Sequence, residues 1–179
     1  ETAVNFVMDG SPLIGENVAV FGQGIVGLLT TSLLVQFPLA KLVTLDRYPL
    51  RRQASCELGA QICLDPEDGN LNEQIKEQFP NGADLTFEIS GSPSALDQAL
   101  MTTGFAGRVV IGSWYGSKQV TLNLGAHFHR SRIRLICSQV TNIAPEFSGR
   151  WTKKRRFDVA WEMIRRLKPA RFITHRFPI

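Results

Sequence analysis

Short apolar runs alternate along this chain with longer segments in which apolar residues recur every three or four positions. The runs predict strands buried on both faces, because such strands lose the alternation of a half-exposed strand, and the longer segments predict amphipathic helices. Strands are expected at residues 18–21, 42–45, 61–64, 85–89, 108–111 and 133–137. Helices are expected at residues 2–8, 25–37, 49–58, 70–79, 93–103 and 153–167.

Several helix ends carry their own signals. Asn70 and Glu73 resemble a capping box, and Thr152 can cap the last helix. Gly59 and Gly104 are expected to end the third and fifth helices. The apolar face of the last helix is predicted to consist of Phe157, Ala160, Trp161, Ile164 and Leu167.

A glycine-rich turn separates the first strand from the second helix. Gly22, Gly24 and Gly27 have the spacing GxGxxG, and Asp46 follows 19 residues after the last of them. Between a strand and a helix, this pattern indicates a dinucleotide whose phosphates lie at the helix N-terminus, although such a turn can also bind nothing. The predicted phosphate-binding residues are Gly22, Gln23, Gly24, Ile25, Val26 and Gly27.

The order of the elements predicts the fold class. Strands that alternate with helices form a parallel sheet through right-handed crossovers, with helices on both faces. With the glycine turn after the first strand, we expect an α/β Rossmann fold with six parallel strands in the order 3-2-1-4-5-6. Neither a repeat nor a low-complexity linker interrupts residues 1–179, so one domain is expected.

The acid at the end of the second strand bears on the choice of dinucleotide. A carboxylate at Asp46 would accept hydrogen bonds from the adenosine ribose and repel a 2′-phosphate, which favours NAD over NADP. Arg47 keeps NADP open, because a neighbouring arginine can accommodate that phosphate.

Two later loops also follow strands at the carboxyl edge of the predicted sheet. Ser90 and Gly91 follow the fourth strand, and Gly112 follows the fifth. Ligands of open α/β sheets bind at this edge, so these residues are candidates for cofactor contact. Ordinary turn chemistry would explain them equally well.

Charge and composition bear on whether the chain binds nucleic acid or a membrane. The net charge is +4, and much of the basic excess lies at residues 153–156 and 165–166. Such a cluster can contact nucleic acid, but without any recognition motif it is interpreted as the solvated face of a helix. The chain has no apolar run of about 18 residues, so no membrane span is expected.

The cysteines are interpreted as reduced core residues of a cytoplasmic protein. Cys56, Cys63 and Cys137 are scattered, are odd in number and form no CxxC pair. The chain begins without a signal-peptide pattern, and the missing initiator Met indicates a fragment or a processed product.

No convincing catalytic set accompanies the glycine turn. Tyr48 and Tyr115 lack a Lys four residues later, so the Tyr-x-x-x-Lys pair of short-chain reductases is missing. His127 and His129 would face the same side of a strand and could suit a metal, but no third ligand is evident. These histidines, and His175, are interpreted as structural, and neither catalytic nor metal-binding residues are predicted.

The chain resembles the cofactor domain of the medium-chain dehydrogenase/reductase family, in its zinc-containing alcohol, polyol or threonine dehydrogenase branch. Besides the glycine turn and Asp46, the matching stretches are residues 15–20, 58–60, 82–84, 87–91 and 107–110. The resemblance implies hydride transfer between nicotinamide and an alcohol or carbonyl substrate. It also implies that the zinc is held by a GroES-like catalytic domain, and that this chain lacks that domain.

The resemblance also implies roles for residues outside the glycine turn. Arg51 would help to hold the adenosine ribose, Ser138 and Val140 would reach the nicotinamide carboxamide through their backbone, and Ile111 with Gly112 would line the nicotinamide side. It further implies a homodimer joined through the last strand, since an exposed edge strand is a template for pairing.

Two other classes share the glycine turn and the acid. A regulatory nucleotide sensor would bind the dinucleotide without chemistry, but residues 174–178 resemble a dehydrogenase hinge. An S-adenosylmethionine-dependent methyltransferase usually has an acid shortly before the first glycine, where this chain has Ala19, Val20 and Phe21.

Overall fold

The computed structural model describes residues 1–178 and contains one parallel sheet of six strands. The strand order is β3-β2-β1-β4-β5-β6, and every neighbouring pair is parallel. The predicted Rossmann topology is therefore confirmed. The strands are β1 (Asn17–Phe21), β2 (Lys41–Leu45), β3 (Ile62–Leu64), β4 (Ala83–Glu88), β5 (Thr103–Ile111) and β6 (Arg134–Cys137).

Six α-helices connect or flank these strands. Two short 3-10 turns and one π-type turn at Leu124–Phe128 complete the ordered segments. The helices are α1 (Thr2–Gly10), α2 (Ile25–Leu34), α3 (Pro49–Glu57), α4 (Leu71–Gln78), α5 (Pro93–Thr102) and α6 (Lys153–Leu167).

The core has two layers because β1 buries side chains on both faces. Val18 and Val20 pack toward α1, α2 and α6, whereas Ala19 and Phe21 pack toward α4 and α5. All four side chains are at most 1% exposed. This two-sided burial is the reason that the strand appears in the sequence as a continuous apolar run.

The predicted apolar face of α6 is only partly correct. Phe157, Trp161 and Ile164 are exposed, while Ala160 is buried and Leu167 packs against the core. The helix is turned so that Arg156 is fully buried, and its guanidinium hydrogen bonds fix that orientation. The interpretation of residues 153–156 as a solvated basic turn is therefore wrong at Arg156.

Two helix-end predictions also need correction. The Asn70 side chain makes no capping bond on α4, and the Asp68 carboxylate before it accepts from the Asn70 N–H and the Gln74 side chain. Gly104 lies inside β5, which begins directly after α5. The predicted cap of α6 is confirmed, since Thr152 Oγ1 accepts from the Arg155 N–H at 3.1 Å.

The cysteine prediction is wrong for Cys56 and Cys63, and for Cys137 it is right about the free thiol but wrong about burial. Cys56 and Cys63 form a disulfide between the end of α3 and β3, and Cys137 is exposed with a free thiol. Gly59, at φ +110°, turns the chain between the helix and the strand and brings the two Cα atoms within 6.1 Å. That proximity in space is not visible in the spacing of the cysteines along the chain.

Candidate functional site at the carboxyl edge of the sheet

The predicted cofactor residues lie at the carboxyl ends of five strands, in the loops that leave them and in the first turns of α2 and α3. The glycine turn follows β1, Asp46 and Arg47 follow β2, and further candidates follow β4, β5 and β6. Because β1 and β4 are adjacent while their connections run in opposite directions across the sheet, a crevice opens between them.

The glycine turn is closed by contacts that leave no room for side chains at two positions. Gly22 has φ +95°, and a Cβ there would lie 2.6 Å from Ser90 Cα. A Cβ at Gly27 would lie 2.0 Å from the Gly22 carbonyl oxygen. The turn can therefore pack α2 against β1 and β4 only with glycine at these positions.

Gly24 differs from its two neighbours because open space surrounds it. No atom lies within 4 Å of a Cβ built there, and Gly24 is the N-cap of α2 without a side-chain capping bond. The first N–H groups of a helix have no intrahelical acceptor, so this open N-terminus can receive an anion. The geometry of the turn fits a pyrophosphate.

Asp46 is nearly buried, with 6% of its surface exposed, and its carboxylate anchors the turn. Oδ2 accepts from the Gln23 N–H at 2.7 Å, and Oδ1 accepts from the Tyr48 N–H at 2.8 Å. Each carboxylate oxygen has a second lone pair, so hydroxyl donors can still bind. The carboxylate is thus both a structural acceptor for the turn and a candidate ribose ligand.

A cleft of about 510 Å³ lies beside this carboxylate. Predicted residues from three loops line this cleft. A smaller groove of about 350 Å³ is lined by Gln23, Gly24 and Ile25. Arg51 lines both hollows, which places them side by side at the turn. The predicted residues in the larger cleft are Gly22, Asp46, Arg47, Arg51, Ser90 and Gly91.

An aromatic ring that sequence reasoning missed holds two arginines at the cleft. The guanidinium carbons of Arg47 and Arg51 lie 4.8 and 4.7 Å from the centre of the Tyr48 ring. Arg51 Nη1 is also 3.7 Å from Asp46 Oδ2. Two positive charges therefore lie close to the end of β2, where a ribose substituent would bind.

A buried carboxylate joins the loops after β4 and β5. Glu88 is fully buried and accepts from the Ser90 N–H, the Ser90 hydroxyl and the Tyr115 hydroxyl. Burial, and then the hydrogen bond to Glu88, raise the pKa of Tyr115 above its ordinary value. Ser113 Oγ accepts from the Gly91 N–H at 2.8 Å, so the two loops are held together.

The remaining candidates lie farther along the same edge. Ile111 accepts from the Ser138 N–H at 2.9 Å, which joins the ends of β5 and β6. Gly112 is tightly packed, since a Cβ there would lie 2.3 Å from Phe6 Cζ. Val140 lies in the loop after β6, so this part of the site is separate from the large cleft.

His127 has structural partners. His127 Nε2 lies 2.8 Å from the Thr103 carbonyl oxygen, and its Nδ1 lies 3.2 Å from Ser131 Oγ. Within residues 1–178, no group of three or more His, Cys, Asp or Glu side chains could hold a metal ion. The described residues therefore do not fit a zinc site. No described helix has the length and apolar character needed to cross a membrane.

Comparison with known proteins assigns the chain to a family. A family model described as zinc-binding dehydrogenase matches residues 26–164. L-threonine 3-dehydrogenase of Pyrococcus furiosus is 26% identical over 96% of this chain and 54% of its own length. D-guloside 3-dehydrogenase of Escherichia coli is 25% identical over 90% of this chain and 47% of its own length.

Solved structures agree on the fold. A 2R,3R-butanediol dehydrogenase from Bacillus subtilis matches 76% of this chain and 39% of its own with a TM-score of 0.70 and 29% identity. An Escherichia coli alcohol dehydrogenase complexed with NADH matches 98% of this chain and 49% of its own, with a TM-score of 0.80 and 22% identity. The chain spans about half the length of the curated relatives that match most of it. With the family model covering most of its length, this chain belongs to the zinc-binding dehydrogenase family.

Proposed function

We propose that this chain is the nicotinamide-dinucleotide-binding part of an alcohol dehydrogenase-like oxidoreductase. The observation that carries the proposal is the uncapped N-terminus of α2 at Gly24, with open space before it and the Asp46 carboxylate beside the same turn. Bound nicotinamide supplies hydride transfer, and the chain supplies binding and orientation. The family relatives, which are dehydrogenases by name, support this chemistry.

The dinucleotide is NAD rather than NADP. The nearly buried Asp46 carboxylate supports this choice, because it would meet the additional phosphate of NADP with like charge. Arg47 and Arg51 are the opposing influence, because their guanidinium groups could partly neutralise that phosphate. A related structure from Sinorhizobium meliloti, 23% identical, was solved with NADP.

Calorimetric titration with NADH and NADPH in the same buffer tests both levels of this proposal. We expect tighter binding of NADH. Tighter binding of NADPH would overturn the choice of NAD and leave the dinucleotide function standing. A chain that binds neither ligand would overturn the function itself.

A second domain supplies the substrate pocket and the zinc in the intact protein. The family model's description and the length of the relatives support this arrangement. Residues 1–179 then form a single cofactor domain without turnover of its own. An assay of the chain with zinc, NAD and simple alcohols is expected to form no NADH, and measurable turnover would contradict this view.

Two copies of the chain pair through β6. This strand is one edge of the sheet, and an edge presents unpaired N–H and C=O groups. Sedimentation at high concentration is expected to show a dimer, and a monomer there would count against the pairing.

The cytoplasmic location stays a prediction from the sequence. The Cys56–Cys63 disulfide weighs against it, because disulfides are rare where glutathione and thioredoxin keep thiols reduced. Alkylation of thiols in intact cells tests the location. Three reactive cysteines would support a reducing compartment, and one reactive cysteine would contradict it.

A further inference from the structure

Arg156 on α6 is a charged side chain that is fully buried. All five of its N–H donors have acceptors. Nε and one Nη2 hydrogen bind Glu1 Oε1 at 3.2 and 2.8 Å, and Nη1 binds Asn5 Oδ1 at 2.5 Å and the Asn142 carbonyl oxygen at 2.9 Å. The last donor binds the Val140 carbonyl oxygen. Because every donor of this buried guanidinium is bonded, the position of the Arg156 side chain and of its acceptors is fixed.

Two of these acceptors belong to the loop that leaves β6. Residues 138–143 contain neither helix nor strand, so no regular pattern of backbone hydrogen bonds holds the loop. Arg156 holds its Val140 and Asn142 carbonyl groups, and Asp9 Oδ2 accepts from Ser138 Oγ at 2.5 Å. The conformation of this loop therefore depends on α1, which is distant from it in sequence, and on α6, which follows it along the chain.

The anchored loop leaves several backbone groups without a hydrogen-bond partner, and two of them have the polarity that a carboxamide needs. Among the residues that the structure describes, neither the Ser138 carbonyl oxygen nor the Val140 N–H has a hydrogen-bond partner. A primary carboxamide offers one N–H₂ donor and one carbonyl acceptor, and it can bind such a pair of groups. Because the Val140 carbonyl is taken by Arg156, the rotation of the adjoining peptides is restricted.

The position of the loop points to the second nucleotide. A dinucleotide crosses the carboxyl ends of both halves of a Rossmann sheet, and Asp46 marks the adenosine half at β1–β3. The loop after β6 belongs to the other half. We propose that Arg156 is a positioning residue that orients the Ser138 carbonyl and the Val140 N–H toward the nicotinamide carboxamide; this inference rests on the proposed function.

A purely structural role is the competing explanation, because Arg156 also joins α6 to Glu1 and Asn5 of the α1 region. The two roles differ in which ligand they affect. ADP-ribose contains the adenosine, both phosphates and the second ribose but no nicotinamide. A positioning role should change the affinity for NADH and leave the affinity for ADP-ribose in place.

The test measures both dissociation constants by calorimetry for the wild type and for Arg156→Met, Arg156→Lys and Arg165→Met. Arg165→Met is the matched control, since it makes the same substitution on an exposed part of the same helix. We expect Arg156→Met to weaken NADH about tenfold, with ADP-ribose within about twofold of the wild type. The control should change neither constant by more than about twofold.

Arg156→Lys keeps the charge but has only three donors, so a smaller loss confined to NADH is expected. If Arg156→Met does not fold, the ratio of the two constants is taken from Arg156→Lys, whose ADP-ribose binding reports its folded state. Equal losses for both ligands, or no loss for either, would overturn the positioning role. So would a wild type that binds NADH no better than ADP-ribose. A wild type that binds neither ligand would overturn the proposed function and this inference together.

Discussion

The two halves of the carboxyl edge are built differently. In the half at β1–β3, the backbone geometry of the glycine turn and one carboxylate form the candidate site. In the half at β4–β6, loops are held by side chains from elsewhere, such as Arg156 on α6 and Asp9 on α1. The first half is therefore formed by the turn and the carboxylate themselves, whereas the second depends on side chains of the flanking helices α1 and α6.

The difference teaches where specificity can be altered without loss of the fold. In the glycine turn, Gly22 and Gly27 are closely packed, whereas Gly24 faces open space. The positions that the fold requires therefore differ from the position at which the ligand would bind. At the second half, Arg156 and Glu88, which hold the loops, are themselves fully buried. Substitutions there act on stability and on binding together.

The largest effect is expected for Gly24→Val. The side chain would enter open space, so the free energy of unfolding should change by less than about 0.5 kcal/mol, while the pyrophosphate would lose its approach to the helix N-terminus. We expect NADH and ADP-ribose to weaken about 100-fold, or about 3 kcal/mol, by calorimetry. Gly69→Val, also in open space but far from the turn in sequence, is the control. Unchanged ADP-ribose binding would contradict the phosphate site.

Asp46→Asn should give the next largest change in the first half. The amide keeps one acceptor oxygen but loses the charge, and the Gln23 or the Tyr48 N–H loses its partner. We expect NADH and ADP-ribose to weaken about tenfold, because hydrogen bonds to charged groups are worth about 1.5–3 kcal/mol. The preference for NADH over NADPH should fall as well.

The control for this variant is Asp158→Asn, which removes a carboxylate from an exposed ion pair on α6. It is expected to leave both affinities unchanged. Retention of the full NADH preference in Asp46→Asn would show that Arg47 and Arg51, rather than the carboxylate, set the choice of cofactor.

The fold and the geometry of the glycine turn could be predicted because their signals are local. Val18 to Phe21 is apolar since both faces of β1 are covered, and the glycine spacing reports the turn directly. The positions of the elements follow from the same periodicity. The order of the sheet then follows from the motif after the first strand.

The second half could not be predicted because its signals are not local. The sequence places Arg156 in a basic run beside exposed residues, and only the packing of α6 on α1 shows that it is buried. The same packing turns Trp161 outward. The sequence likewise does not show the partner of Tyr115, whose hydroxyl donates to Glu88, 27 residues earlier in the chain.

Tyr115→Phe tests the link between the loops of the second half. The substitution removes one donor from the buried Glu88 carboxylate, while the two Ser90 donors remain. We expect the free energy of unfolding, measured with urea, to fall by about 1.5 kcal/mol. The matched control is Tyr48→Phe, whose hydroxyl is bonded to Arg47 at the surface, and it should cost less than about 0.5 kcal/mol. Equal costs for the two variants would mean that the Glu88 network does not stabilise the second half.

The smallest effect is expected in the pH dependence of the anchor at Asp9. Burial, as the largest cause, raises the pKa of this carboxyl against the hydrogen bond from Ser138; the charge of Glu146 raises it further, whereas Arg156 lowers it. A folded-state pKa above the unfolded value of 3.8 means that the folded protein holds this proton more tightly. The resulting stabilisation is complete below pH 3.8 and is lost as the pH rises through the folded-state pKa.

Asp9→Asn removes this titration and keeps an oxygen that can accept from Ser138. Urea denaturation of the wild type and the variant between pH 3 and pH 7 measures the difference in unfolding free energy. We expect the wild type to lose stability relative to Asp9→Asn as the pH rises. A constant difference across this range would show that Asp9 is not a titratable anchor of the loop after β6.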